Sequence, residues 1–201
     1  MKKLLILTTF LLLAFSLQAQ DVALLNRIKE VNSAKSSFDS DLNNFFVKKG
    51  KRNEQEGKLY FVKPHCFTAQ FTTGKYMIVN EKQIKMNIGL FHGTFKIKDG
   101  GMMQSLANIF LYGFQGRIQD LANENDYSLT TKTENGFHII TGTNNKKNLL
   151  GIGYKQVVFK YFTDSLLLKE IVLFDFNGNM DVYTISNVIY DVEVDPSMFE
   201  F

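Results

Sequence analysis

Few residues of this 201-residue chain have the types and spacing that catalysis needs. His65 and Cys66 are adjacent, and because neighbouring side chains on an extended backbone point in opposite directions, they are not expected to form a Cys–His dyad. His92 and His138 have neither the spacing nor the cysteine partners of a metal site. Gly151-Ile152-Gly153 lacks the third glycine of a dinucleotide-binding loop, and no phosphate loop or Gly-x-Ser-x-Gly motif occurs. The sequence therefore predicts no catalytic residue, no metal ligand, no cofactor and no enzymatic activity.

The most informative stretch runs from Gly57 to Phe71 and contains two apolar runs separated by a proline. Alternation along a strand places two sets of residues on one face: Leu59, Phe61 and Lys63 in the first run, and Phe67, Ala69 and Phe71 in the second. Pro64 has no N–H to donate to a sheet, so it must lie between two strands. The pattern alone is typical of an amphipathic hairpin whose lysine reaches water at the rim.

The N-terminus has the order of a secretory signal peptide. Met1-Lys2-Lys3 precedes an apolar run over 4–17, and Gln18-Ala19-Gln20 follows it. As a helix this run would span about 21 Å, which is less than the ~30 Å of a hydrocarbon core, so a cleaved leader is favoured over an anchor. We expect cleavage after Ala19, giving a signal peptide over residues 1–19 and a single exported domain over 20–201.

Composition limits the partners and the source of stability. Loss of Lys2 and Lys3 with the leader leaves 21 of the 23 basic residues against 20 acidic ones, so no nucleic acid partner is predicted. The single cysteine, Cys66, cannot form an internal disulfide, and stability must come from packing. Nineteen Phe and eight Tyr residues, with no Trp, can line either a core or an apolar cavity.

Periodicity predicts one helix over 21–36 and a half-buried strand over 38–46. The stretch over 48–53, which contains four basic residues, is interpreted as a basic loop at the solvated tip of a hairpin, and a docking patch for an anionic headgroup or a partner is the alternative. Further short strands are predicted at 75–80, 83–88, 92–97, 127–133, 137–143, 155–162, 166–176 and 180–190.

Helical spacing returns only between Met102 and Leu121, where two short helices hinged around Gly113 to Gly116 fit best. Asn135-Gly136 and Asn177-Gly178 are the strongest hairpin turns, because both residue types tolerate positive φ. About eleven strands with helices at two places predict a mainly β fold with α (α+β). In this fold, one curved antiparallel sheet holds helices against its concave face.

The spacing Gly-x-Leu-x-x-x-basic-Pro-x-x-Phe, from Gly57 to Phe67, resembles the signature of the LolA-type periplasmic carriers of outer-membrane lipoproteins. Leu24, Ile28, Val31 and Phe38 resemble that family's first helix and the start of its first strand, and the ending over 194–201 resembles its Val-Asp-x-x-x-Phe-x-Phe motif. The resemblance implies an unclosed, strongly curved antiparallel β-barrel with an N-terminal helix and two short helices covering the concave face.

The same resemblance implies a function. A LolA-like protein is a periplasmic chaperone that shields the acyl chains of lipoproteins and moves them from the inner to the outer membrane. The implied partners are lipid acyl chains, an inner-membrane release complex and an outer-membrane acceptor, with transient membrane contact and a monomeric protein. Two alternatives stay open: a carrier or sensor of another lipid or acylated molecule on the same scaffold, and a non-catalytic envelope assembly factor.

Site residues follow from the resemblance together with strand parity. The residues expected to line the lipid-binding cavity are Leu59, Phe61, Phe67, Ala69, Phe71, Met103, Leu106, Phe110 and Phe114. Lys63 stands where the family has a basic residue that holds the cover helices closed. An inward Lys63 is expected to donate to free carbonyl groups around Tyr112 to Gly116 or Leu121 to Asn123, and so to act as a latch.

Overall fold

The computed structural model describes residues 21–88, 91–97, 101–145 and 153–201. The predicted signal peptide over 1–19 lies outside these residues. The described ranges contain eleven strands: β1 Ser37–Lys48, β2 Lys51–Val62, β3 Cys66–Phe71, β4 Tyr76–Val79, β5 Gln83–Ile88, β6 Phe91–Lys96, β7 Tyr127–Glu134, β8 Phe137–Asn144, β9 Tyr154–Phe162, β10 Leu168–Asp175 and β11 Met180–Tyr190.

All eleven strands belong to one antiparallel sheet with the order β6-β5-β4-β3-β2-β1-β11-β10-β9-β8-β7. Strands that follow one another in the chain are neighbours in the sheet, except β6 and β7, which lie at its two edges. β1 pairs with β11 and so joins the two halves of the chain at the centre of the sheet. The sheet ends at β6 and β7 and does not close. The predicted fold class, an unclosed antiparallel barrel with helices, is confirmed.

Residues 21–33 form α1, Met102–Gln115 form α2 and Ile118–Asn125 form α3, and a 3-10 helix follows at Pro196–Phe199. The break between α2 and α3 is at Gly116, whose φ of 66° is left-handed and whose N–H bonds back to Gly113. The predicted pair of helices hinged in this region is therefore confirmed. In the described part of the chain, no helix is both long and apolar enough to cross a membrane.

The basic residues over 48–53 do form an exposed hairpin tip, but the predicted loop is too long. β1 continues to Lys48 and β2 begins at Lys51, so that only Lys49 and Gly50 form the turn, with φ values of 50° and 75°. Asn53 already pairs with Phe46 in the ladder. Charged side chains hid the alternation on which strand prediction relies, whereas the continuous register with β1 keeps these residues extended.

The core lies between the concave face of the sheet and the helices. α2 contacts β10, and α3 contacts β7 and β8. Two glycines allow close approach: a Cβ on Gly113 would lie 2.9 Å from the Phe159 ring, and one on Gly116 would lie 2.5 Å from the Ile28 carbonyl oxygen. The Tyr161 hydroxyl also donates to the Gly113 carbonyl at 2.7 Å. α1 and the sheet therefore both pack closely against the C-terminal end of α2.

Candidate functional site

The residues predicted to line the cavity all lie in or against one apolar cluster. The two strand sets and the two phenylalanines of α2 are almost fully buried: Leu59, Phe61, Phe67, Ala69, Phe71, Phe110 and Phe114. Met103 and Leu106 are partly buried and pack against the same cluster. Strand parity and helical spacing therefore placed these side chains correctly, whereas their role in binding stays a prediction.

Phenylalanine rings form the centre of this cluster. The Phe67 ring lies 5.4 Å from both Phe110 and Phe114. Phe38 of β1 meets Phe114 edge to face at 5.3 Å, and Tyr183 of β11 meets Phe110 at 5.0 Å. The sequence prediction of cavity residues did not include Phe38 and Tyr183, although strand alternation would have placed Phe38 inward. These contacts join α2 to both halves of the sheet.

The centre of the apolar cluster is closely packed. A void of about 10 Å³ lies there, which is about the space that one water molecule needs. The void is lined by Leu42, Leu59, Phe67, Ala69, Met77, Phe110, Phe114, Ile171, Tyr183 and Ile185. All of these are apolar or aromatic side chains. This void is too small to hold an acyl chain.

A polar belt, defined as Asn44, Gln55 and Thr73, borders the apolar surface where β1 and β2 continue toward their turn. The Thr73 hydroxyl donates to Gln55, the Gln55 amide donates to Asn44 at 2.9 Å, and the Asn44 amide donates to the Val182 carbonyl at 3.0 Å. Asn44 and Gln55 are buried. Because their hydrogen bonds satisfy one another, the belt ends the apolar surface without leaving a buried polar group unpaired.

Asp181 lies beyond this belt at the start of β11. Burial, reinforced by the nearby charge of Asp175, raises its pKa to about 6, and Lys48 opposes that rise. Burial likewise raises the pKa of Tyr154 and Tyr183, so both phenols stay neutral. This end of the sheet therefore carries a partly buried carboxyl group beside neutral phenols.

We call α2 and α3 together the cover. At the end of the sheet away from the turn between β1 and β2, a set of hydrogen bonds that we call the clasp is formed by Ser33, Lys63, Pro64 and Gln115. The Gln115 amide donates to the Pro64 carbonyl at 2.9 Å, and the Ser33 hydroxyl donates to the Gln115 carbonyl at 2.9 Å. Lys63 Nζ donates to the Ser33 carbonyl. The clasp thus joins the ends of α1 and α2 to the turn between β2 and β3.

The expected acceptors of Lys63 were wrong. β2 ends at Val62, so strand parity no longer applies at Lys63, and this side chain is exposed rather than turned into the cavity. Its acceptor is the last turn of α1, not the carbonyl groups of α2 or α3. The residue that joins α2 to the turn between β2 and β3 is Gln115, which is 3% exposed. A polar residue inside the apolar stripe before Gly116 was the signal that could have revealed it.

Asn32 fixes α1 to the turn between β9 and β10. This buried amide donates to the Ile28 carbonyl and to the Leu166 carbonyl, both at 2.8 Å. A buried donor is costly to expose without a partner, so the bond to Leu166 holds α1 in place independently of α2 and α3.

Polar side chains in the described ranges do not assemble a metal centre. No group of three or more His, Cys, Asp or Glu residues there could hold a metal ion. Cys66 is half-buried, and burial raises the pKa of its thiol, which disfavours the reactive thiolate. The apolar interior and its clasp are therefore the features on which a function can be argued.

Comparison with known proteins gives similarity at the level of the fold. No family model and no curated protein sequence matches the chain. A DUF1329 family protein from Desulfovibrio piger superposes with a TM-score of 0.47 and 16% identity, over 89% of this chain and 95% of that one. A LolA superfamily protein from Nitrosomonas europaea superposes with a TM-score of 0.43 and 7% identity, over 89% and 96%. For MucB the TM-score is 0.49 and the identity 13%, over 91% of this chain and 63% of MucB.

Proposed function

We propose that this protein is a carrier that shields the acyl chains of lipoproteins and moves them across the periplasm from the inner to the outer membrane. One observation carries the proposal: an apolar layer between an unclosed sheet and a helical cover, which the clasp joins to the turn between β2 and β3. The motif resemblance around Gly57 to Phe67 supports the same reading. In the proposed cycle the protein works as a monomer, with an inner-membrane release complex, an outer-membrane acceptor and only transient membrane contact.

The size of the hydrophobic effect explains why such a carrier is needed. Each methylene exposed to water costs roughly 0.8 kcal/mol, so two or three long acyl chains cost tens of kcal/mol in an aqueous compartment. The proposed site offers Leu59, Phe67 and Phe110 to these chains, together with the aromatic rings around them. No catalytic group is required, because shielding and release are both changes of contact.

The small volume of the void means that the proposed cycle needs a second, open conformation. A void of about 10 Å³ excludes an acyl chain, so the closed form is the empty carrier. In the proposed cycle α2 and α3 swing away from the sheet, the clasp breaks between Gln115 and Pro64, and acyl chains replace the contacts of Phe110 and Phe114. Cargo is released when the acceptor binds the acyl chains and the clasp forms again. Because the closed state has no room for acyl chains, every return to that state favours release.

The direct test is organic extraction of the protein, purified from cells in its natural compartment, followed by mass spectrometry. Bound diacyl or triacyl lipid in a lipoprotein fragment is the expected result. Free fatty acids or glycolipids alone would contradict the lipoprotein cargo and favour the alternative lipid carrier. Complete absence of acyl lipid, together with no binding of a fluorescent fatty acid, would contradict carriage altogether.

Export is tested separately. N-terminal sequencing of the accumulated protein is expected to show a chain that begins near residue 20, because the leader over 1–19 has the order of a cleaved signal peptide. A soluble cytoplasmic protein that retains Met1 would contradict the periplasmic location.

A further inference from the structure

We propose that the turn between β1 and β2 is a docking site for the surface of a bilayer that contains anionic phospholipid. The site, here called the basic tip, consists of Lys48, Lys49, Lys51 and Arg52. The inference goes beyond lipid carriage, because it concerns how the protein meets a membrane rather than what it holds inside.

Four of the five residues over 48–52 are cations, and Gly50 is the fifth. Lys48, Lys49, Lys51 and Arg52 are all exposed. Within the described residues, no carboxylate oxygen lies within 4.0 Å of the three lysine amines, and the carboxylate that pairs with Arg52 is that of the exposed Glu54, at 3.5 Å. The positive charge of the tip is therefore largely available to an external partner.

The basic tip also extends beyond β3, the strand next to β2. Pairing of β2 with β3 ends at Gly57, so residues 51–55 of β2 form ladder pairs only with β1. The twelve-residue strands β1 and β2 carry the turn to the end of the sheet that lies away from the clasp. A surface can reach the tip without contact with the helical cover.

One cation of the basic tip, Arg52, and one cation outside it, Lys75, lie over aromatic rings of β1. The Arg52 guanidinium lies 4.2 Å from the centre of the Phe45 ring, and Lys75 Nζ lies 5.5 Å from that of Phe46. Phe45 and Phe46 are half-buried. Cations that rest on apolar rings are characteristic of the zone between lipid headgroups and acyl chains, where both kinds of contact are satisfied.

Shape and charge favour a bilayer over a protein partner. A specific protein interface needs about 1,000 Å² or more with a well-packed centre, whereas a turn with two strand ends offers little fixed surface. Lysine amines on flexible stems instead suit phosphate groups that can move to meet them. Outside the leader the chain is almost neutral, with 21 basic and 20 acidic residues, so this local cluster can orient the whole molecule.

The test is co-sedimentation of the protein, in the form that cells accumulate, with two kinds of vesicle: phosphatidylcholine alone, and phosphatidylcholine mixed with phosphatidylglycerol. Wild-type protein is expected to sediment with the anionic vesicles and to lose binding as salt rises. Lys49→Gln with Lys51→Gln is expected to lower the partition coefficient about 25-fold, since each cation near an anionic surface contributes roughly a factor of five. The neutral vesicles measure binding that does not depend on charge, including any through the residues before 21.

Lys29→Gln with Lys82→Gln is the matched control, because it removes the same charge from two exposed lysines away from the tip. Its partition coefficient is expected to fall less than about twofold. Equal losses in the two double variants would overturn the proposal, because net charge alone would then explain binding. Failure of the wild-type protein to sediment with anionic vesicles would also overturn it, and an acidic protein surface would become the partner to test. Fluorescent fatty acid binding should be unchanged in both variants, which separates this result from a failure of lipid carriage.

Discussion

Replacing Gln115 by Leu is expected to increase the population in which α2 and α3 are separated from the sheet, without leaving a cavity in the core. The amide of this 3% exposed residue donates to the Pro64 carbonyl at 2.9 Å, and leucine fills a similar volume without the donor. One buried neutral hydrogen bond contributes about 1 kcal/mol, so its loss should raise the open population roughly fivefold. If acyl chains enter only the open form, apparent affinity and association rate should rise by about the same factor.

Lys63→Leu tests the charged part of the same clasp. Lys63 Nζ donates to the Ser33 carbonyl, but Lys63 is exposed, so solvent reduces the contribution of this bond to about 0.5 kcal/mol and the expected change to about twofold. The variant should bind cargo at least as tightly as the wild-type protein and release it more slowly, because closing no longer recovers the bond. Lys63→Arg should preserve the clasp.

The assay is stopped-flow association of a fluorescent fatty acid, followed by its transfer to acceptor vesicles. Gln119→Leu is the matched control: it removes an amide from α3 whose bond to Asn26 is exposed and 3.4 Å long, and it should change neither rate. Urea unfolding of each variant shows whether global stability has shifted instead. A folded Gln115→Leu protein with wild-type association and transfer rates would refute the clasp as the barrier to opening.

Three further predictions concern the core, the helix junction and the pH response. Phe67→Glu should abolish fatty acid binding, because it puts an unpaired charge among buried rings, whereas Ile189→Glu, at a 61% exposed position, should not. Gly116→Ala should lower the thermal midpoint, since φ is +66° and its Cβ would lie 2.5 Å from the Ile28 oxygen. An unchanged midpoint would contradict this contact. The raised pKa of Asp181 means that the folded protein binds more protons than the unfolded chain, so stability should fall as pH rises from about 4 through about 6. Asp181→Asn should flatten that dependence in urea titrations, and an unaltered pH profile would contradict the assigned pKa.

Much of the architecture followed from local patterns. Alternation along 83–88 reflects a strand with one buried face, and Asn135-Gly136 adopts positive φ at both residues, as a tight hairpin requires. The wide apolar stripe of α2 and the left-handed Gly116 likewise reproduce the predicted helical hairpin. Such features depend on neighbours within a few residues, which is why a sequence pattern contains them.

The clasp could not be predicted in the same way. Ser33 and Gln115 are separated by 82 residues and Gln115 and Pro64 by 51, and no periodicity relates them. The alternation of side chains along β2 predicted an inward Lys63, but this alternation no longer applies after β2 ends at Val62. The tertiary approach of α1, α2 and the turn between β2 and β3 decides which of these polar groups meet.

Amino-acid types alone established that the chain has an apolar face large enough to bury and few groups that could catalyse a reaction. Whether that face encloses a cavity or a filled core depends on how closely α2 approaches β9 and β10, and Gly113 permits contact with the Phe159 ring. Side chains from distant segments pack together at the centre of the cluster and leave a void of about 10 Å³ there. Close packing is a collective property of side chains from many elements, so the tertiary structure, and not any stretch of sequence, determines that this interior is closed.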